Sequence, residues 1–235
     1  MSHSDIRIGL LVSGKNDPAQ TIRQMLPYGF ESFAINFWQS CGDVDLDRVS
    51  DTVLAAIDGS DAVISALTVF GNPLENEPVD RETQRDWYRL VDLCPKMGCD
   101  LVTGFTGRVR GKPVPDSIPR LKEFYTPLVE KAAENGIRIA FENCTMGGTG
   151  QSGQTNLAYC PDAFELIFEA LPQENVGLEW EPAHLLKQFA DPMLNLHEWG
   201  HKIFHLHGKD GTLRWPVIRK HGIFGKEKTH WHRHP

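Results

Sequence analysis

Short apolar runs alternate along this chain with longer stretches whose apolar residues return at helical spacing. The first run covers residues 6–12, and residues 17–26 follow with Ile22, Met25 and Leu26 on one stripe. A second run at 32–38 precedes a helical pattern at 49–57, marked by Val49, Val53, Leu54 and Ile57. The third run, 62–69, leads to an amphipathic stretch at 81–97 whose last turn contains Pro95. Residues 101–106 are the fourth run, and 117–135 a long helical pattern stopped by Gly136. Runs at 137–142, 176–181 and 203–207 then alternate with helices at 162–170 and 194–200. Seven strand-like units with six helices between them predict an α/β fold on a parallel sheet. The remainder, 208–235, reads as a long loop rich in His, Lys and Arg, with no strand.

Composition narrows this picture. At 235 residues and 40% hydrophobic, the chain matches one α/β barrel better than two small domains, and no linker interrupts it. A (β/α)8 TIM barrel is therefore expected, one domain over 1–235 with its eighth βα unit missing. Closing it would take roughly another 40 residues. The natural protein is thus expected to continue past Pro235 with a loop, a strand and a helix, because strands one and seven would otherwise be open edges. A net charge of −7 with both signs dispersed argues against a nucleic-acid groove; His230, His232, Arg233 and His234 are the nearest basic cluster, and it is short. Five cysteines without a CxxC pair read as reduced thiols of a cytoplasmic protein. No apolar run nears the ~18 residues of a membrane span. The glycosylation triplet at Asn143 is taken as chance, since no signal peptide precedes it.

Three strand ends carry the chemistry. Ile-Arg-Ile-Ala-Phe ends in Glu142, Val-Gly-Leu-Glu-Trp in Glu181, and Ile-Phe-His-Leu in His207. The intervals, roughly 40 and then about 25 residues, fit one crossover each. Neighbouring strands lie about 4.8 Å apart, so these side chains can converge on one cation. Carboxylates with neutral imidazole suit Mn²⁺, Zn²⁺, Co²⁺ or Fe²⁺ better than Ca²⁺. Glu179 shares a strand face with Glu181 and lies deeper; His205 stands in the same relation to His207. Asn143 could orient a ligand or cap the following loop, and Trp38 could wall a sugar pocket or simply pack. The glycine-rich loop at 147–155 lacks the lysine of a phosphate-binding loop and reads as a mobile βα loop.

The order Phe-Glu-Asn, Glu-Pro-Ala-His and His-Leu-His-Gly-Lys-Asp on three successive strands resembles the xylose-isomerase-like TIM-barrel superfamily of sugar phosphate isomerases and epimerases. The resemblance runs from Ile6 to about Asp210. It makes Glu142, Glu181 and His207 metal ligands and His184 a partner at the substrate, so Glu142 and His184 are the catalytic candidates. It implies a divalent metal, Mn²⁺ first and Zn²⁺, Co²⁺, Fe²⁺ or Mg²⁺ as alternatives. It also implies a carbohydrate substrate, with proton transfer through an ene-diolate. Read from the residues themselves, Trp38, Asn143, Lys209 and Arg233, the last in the tail beyond the resemblance, are the substrate-binding candidates. Two departures stand out: position 181 is Glu where the family commonly has Asp, and the family's fourth ligand, a Glu on strand eight, has no counterpart. A lyase or dehydratase acting on a keto-sugar, or a non-catalytic sugar-binding relative, are the alternatives. Neither nucleic acid nor membrane is an expected partner, and a homo-oligomer is compatible with the reading.

Overall fold

The computed structural model of the chain describes residues 6–223 and 230–234. Seven parallel strands form one sheet in chain order: β1 Gly9–Ser13, β2 Ser32–Asn36, β3 Val63–Val69, β4 Leu101–Gly104, β5 Arg138–Glu142, β6 Val176–Trp180 and β7 Ile203–Leu206. Helices connect them: α1 Pro18–Met25, α2 Leu46–Ile57, α3 Pro78–Met97, α4 Val114–Glu134, α5 Pro161–Ala170, and the pair α6 Pro182–Leu186 and α7 Pro192–Trp199 between β6 and β7. The sheet curls into a half barrel. Ser65 on β3 reaches across the interior to His205 on β7, with Oγ 3.3 Å from Nε2. This is the TIM-barrel arrangement lacking one unit. Among the described residues no eighth parallel strand joins the sheet, and β1 and β7 are its edges. Leu11 and Leu206 on these edges stay 42% and 52% exposed.

Several helix starts lie where polar side chains catch orphan N–H groups. Asp17 accepts from the Gln20 N–H at 3.0 Å and Asp45 from that of Arg48 at 3.0 Å. Glu77 and Asp80 form a reciprocal box at the head of α3. These caps move α2 and α3 three residues ahead of their apolar stripes, to Leu46 and Pro78. α4 likewise starts at Val114 and runs through Pro119 and Pro127, because Leu121, Tyr125, Leu128, Val129 and Ala132 all bury against the sheet. At the other end, β1 begins only at Gly9, leaving Ile6 and Ile8 exposed. The core lies between sheet and helices. Tyr125 packs edge-on against Trp87 and Phe141 at centroid distances of 5.4 and 4.9 Å, and its hydroxyl donates to the Phe105 carbonyl. Gly104 is required there: a Cβ would come within 2.0 Å of the Val69 carbonyl oxygen.

The C-terminal stretch departs from the loop expected. β8 Gly211–Leu213 and β9 Trp231–Arg233 pair antiparallel, and α8 Trp215–His221 lies between them in the chain. Three-residue strands have no periodicity to read, and their pairing partner lies some twenty residues away; only the folded chain brings the two together.

Candidate functional site

The carboxyl ends of β5, β6 and β7 form a buried polar cluster. Parallel pairing sets Glu142 beside Glu179 and Glu179 beside His205. Inward-facing positions alternate, so Glu179 and Glu181 point to one side, as do His205 and His207. β6 ends at Trp180, and Glu181 serves as the first residue of the turn into α6, backbone still extended. Pro182 begins that helix, which carries His184 back toward the cluster one turn later.

His207 is the hub. Its Nδ1 lies 3.1 Å from Glu142 Oε1 and 4.0 Å from Glu181 Oε2; its Nε2 lies 3.2 Å from Glu179 Oε1. Glu179 Oε1 also meets His205 Nδ1 at 3.0 Å. His184 Nε2 approaches Glu181 Oε1 to 3.0 Å, and the Lys209 ammonium grips Glu181 Oε2 at 2.5 Å. Two sets of three ligand atoms lie within 4.8 Å of one another: Glu142, Glu181, His184, and Glu179, His205, His207. The trio expected from the sequence, Glu142, Glu181 and His207, straddles both sets and meets at His207 Nδ1.

Electrostatics follow from burial and proximity. Burial alone would push the His207 imidazolium down, but Glu179 and Glu142 hold it charged, up to about 11. Burial would raise the Glu179 carboxyl; His207 and His205 pull it down to about 2. Glu181 is lifted to about 7, chiefly by burial and further by Glu142, against the pull of Lys209. His184 is kept neutral, pushed down to about 3 by burial and by the charges of Lys209, Lys187, Arg233 and His207.

The cluster fits a cation. Four buried atoms within it, Glu179 Oε2, Glu181 Oε1, His184 Nδ1 and His207 Nε2, have no aligned hydrogen-bond partner. Three carboxylates and three imidazoles offer the oxygen and nitrogen donors of a Mn²⁺, Co²⁺, Zn²⁺ or Fe²⁺ site.

The remaining candidates are placed as follows. Asn143 is fully buried, and its amide is spent on the Glu181 main chain: Nδ2 donates to the carbonyl at 2.9 Å and Oδ1 accepts from the N–H at 2.5 Å. It ties two strand ends together. Lys209 is in the cluster but engaged by Glu181. Trp38 is 53% exposed at the end of β2, holds a positive φ of 58°, and packs edge-on to Phe70 at 6.1 Å. Arg233 is exposed on β9, two residues past Trp231, whose ring centroid lies 6.2 Å from that of His184. Sequence reasoning missed Lys187, whose Nζ donates to Thr145 Oγ1 at 3.2 Å and sits 5.4 Å from the Trp231 ring centroid. The stretch after Glu181 reads as a loop, and neither the short helix α6 nor the tail that folds over it was visible in the sequence.

A half barrel with carboxylates and imidazoles gathered at its strand ends defines a class of TIM-barrel proteins with an acid–base or metal-binding mouth. The family described as the xylose isomerase-like TIM barrel matches residues 22–234, and the chain belongs to that family. An uncharacterized protein of Bacillus subtilis (strain 168), YfiH, is 28% identical over 191 residues, a match covering 72% of this chain. The chain spans only 58% of that relative's length. Among solved structures, an L-ribulose 3-epimerase superposes with a TM-score of 0.66 at 18% identity, covering 86% of this chain and 69% of the other. The 3-keto-D-glucoside 4-epimerase YcjR from E. coli superposes with a TM-score of 0.65 at 15% identity, covering 92% and 86%. At these identities the likeness is one of fold. No helix among the described residues is long and apolar enough to cross a membrane.

Proposed function

We propose that this protein is a divalent-metal-dependent isomerase or epimerase of a sugar or sugar phosphate. The observation that carries the reading is the meeting of Glu142, Glu181 and His207 at His207 Nδ1, with buried donor atoms around it that lack an aligned hydrogen bond. Glu142, Glu181 and His207 would hold the ion, Mn²⁺ being the first to test. A cation there would act as a Lewis acid, stabilising negative charge as it develops on a sugar carbonyl and its neighbouring hydroxyl.

The chain's own groups supply the rest. The Glu142 carboxylate, at the mouth, takes the proton from the carbon next to the carbonyl. His184 stays neutral under burial and four nearby cations, so its imidazole can accept or return a proton on the substrate side. Glu179 holds His207 from below, and Lys209 and Asn143 fix the side chain and main chain of residue 181. Two epimerases of sugars share the fold, which supports the reading by analogy. All five cysteines are free thiols, which suits the cytoplasm.

The test is Glu142→Gln, which keeps the shape and removes the base. Turnover and exchange of the substrate's α-proton with deuterated solvent should be abolished while circular dichroism stays that of wild type. Exchange at the wild-type rate would remove Glu142 from the role of base. Elemental analysis of the purified protein tests the metal; no bound transition metal after Mn²⁺, Zn²⁺ or Co²⁺ loading would remove that part of the reading. Eliminated water in the products of a keto-sugar panel would instead indicate the dehydratase alternative.

A further inference from the structure

Among the described residues, two cations stand at the rim of the cluster without a counter-charge. Lys187 is half-buried on the residue after α6, and Arg233 is exposed on β9. Among the described residues neither lies within ion-pair distance of a carboxylate, whereas Lys209, one step deeper, is paired with Glu181. The two are brought to one place by the C-terminal hairpin. His230 Nε2 meets the Lys187 carbonyl at 3.1 Å, and the Trp231 ring lies 5.4 Å from the Lys187 ammonium and, tilted, 6.2 Å from the His184 ring. Residues two apart on a strand share a face, so Arg233 faces the same side as Trp231. Across the ladder Arg233 is opposite Gly211, which has no side chain to cover it. Thr145, three residues beyond Glu142, presents its hydroxyl to Lys187 at 3.2 Å.

Like charges gathered beside one wall are costly unless an anion shares them. We infer that Lys187 and Arg233, with the Thr145 hydroxyl and the Trp231 ring, form a subsite for an oxyanion carried by the sugar, a phosphate ester or a carboxylate. The inference rests on the reading of the cluster as a sugar site. The subsite would take the end of the sugar remote from the atoms presented to Glu142 and Glu181. Lys187 supplies a point charge and Arg233 a planar fork that matches two oxyanion oxygens. Trp231 gives an apolar wall for the sugar's C–H face. His184, between the rim and Glu181, would lie alongside the substrate's middle.

The test has two arms on the full chain loaded with Mg²⁺ or Mn²⁺. In the first, inorganic phosphate is titrated by calorimetry into wild type, Lys187→Gln, Arg233→Gln and the exposed control Lys122→Gln. Each of the first two variants should weaken phosphate binding by about tenfold, the loss of one charge-assisted hydrogen bond, and Lys187→Arg should recover most of it. The control should not change. Phosphate affinity unaltered in both rim variants, with folding intact by circular dichroism, overturns the subsite whatever the enzyme's reaction. In the second arm, kcat/KM is compared for a neutral keto-sugar, its terminal phosphate ester and the matching sugar acid. Wild type should prefer a charged substrate, and the charged-over-neutral ratio should fall about tenfold in each rim variant, mostly through KM. Preference for the phosphate or for the acid identifies the source of the oxyanion. A wild-type preference for the neutral sugar overturns the inference. If no sugar exchanges its α-proton, the functional reading fails, and the phosphate titration still decides the subsite.

Discussion

Replacing Asn143 by Ala should destabilise the protein by about 2–4 kcal/mol, because it removes the side chain that, among the described residues, bonds both main-chain groups of Glu181. Asn143 is fully buried, and its amide donates to the Glu181 carbonyl at 2.9 Å and accepts from the Glu181 N–H at 2.5 Å. Truncation leaves a buried N–H without an acceptor, at a cost of about 1–3 kcal/mol, and strips the carbonyl of one donor. A small polar hole also remains; a water entering it would pull the loss toward the lower end. For a chain of this size, 3 kcal/mol corresponds to a fall in Tm of about 6–12 °C. Guanidinium unfolding should show a lower midpoint with an unchanged slope. Asn143→Asp sharpens the test: the carboxylate still accepts from the N–H, but it faces the Glu181 carbonyl and adds a negative charge beside Glu142 and Glu181. It should therefore be rescued in part by added Mn²⁺ or Zn²⁺, where the alanine variant is not. A stability for Asn143→Ala within about 0.5 kcal/mol of wild type would refute the reasoning, since that is what an uninvolved surface residue gives.

Three further outcomes are expected. Arg110→Ala removes a two-point grip on the buried Asp80 carboxylate, at 2.9 and 2.7 Å, and should cost about 3 kcal/mol in thermal or chemical unfolding, with Arg110→Lys recovering only part. Burial pushes the thiols of Cys41 and Cys144 up to about 12, so a thiol reagent at pH 8 should label neither until denaturant is added; rapid native labelling at either site, read by peptide mass, contradicts their burial. Burial and nearby cations push His184 down to about 3 in the folded chain, against 6.5 for the free side chain, so the unfolded chain binds the extra proton in that window and stability falls as pH drops from about 6.5 toward 3. His184→Gln should flatten the upper part of that decline; an unchanged slope between pH 6.5 and 5 would show that His184 contributes none of it.

Much of the architecture was legible in the chain itself. Alternating apolar runs and helical stripes name seven strands and their order, since a helix between two strands forces a parallel crossover. Ends were less legible. The caps Asp45 and Glu77 extend α2 and α3 beyond their apolar stripes, because capping is a local polar bond that hydrophobic spacing does not report. The candidate site was legible as a pattern: a carboxylate or imidazole at the same end of three consecutive strands, with a second two residues deeper on the last two. That pattern depends only on the two-residue repeat of a strand and on parallel pairing.

Which of these side chains touch was decided by tertiary structure. The register that sets Glu142 beside Glu179 and Glu179 beside His205 makes His207 the hub between carboxylates, and it spends Asn143 on a strand end. The sheet's curl brings Ser65 of β3 to His205, a separation of 140 residues that no local rule anticipates. The hairpin of β8 and β9 folds the His-rich tail back so that Trp231 and Lys187 frame His184. Periodicity is a property of neighbours along the chain and can be read from it. Pairing across a sheet and the closing of a mouth are set by competition among all the surfaces the chain could bury, and only the folded molecule resolves them.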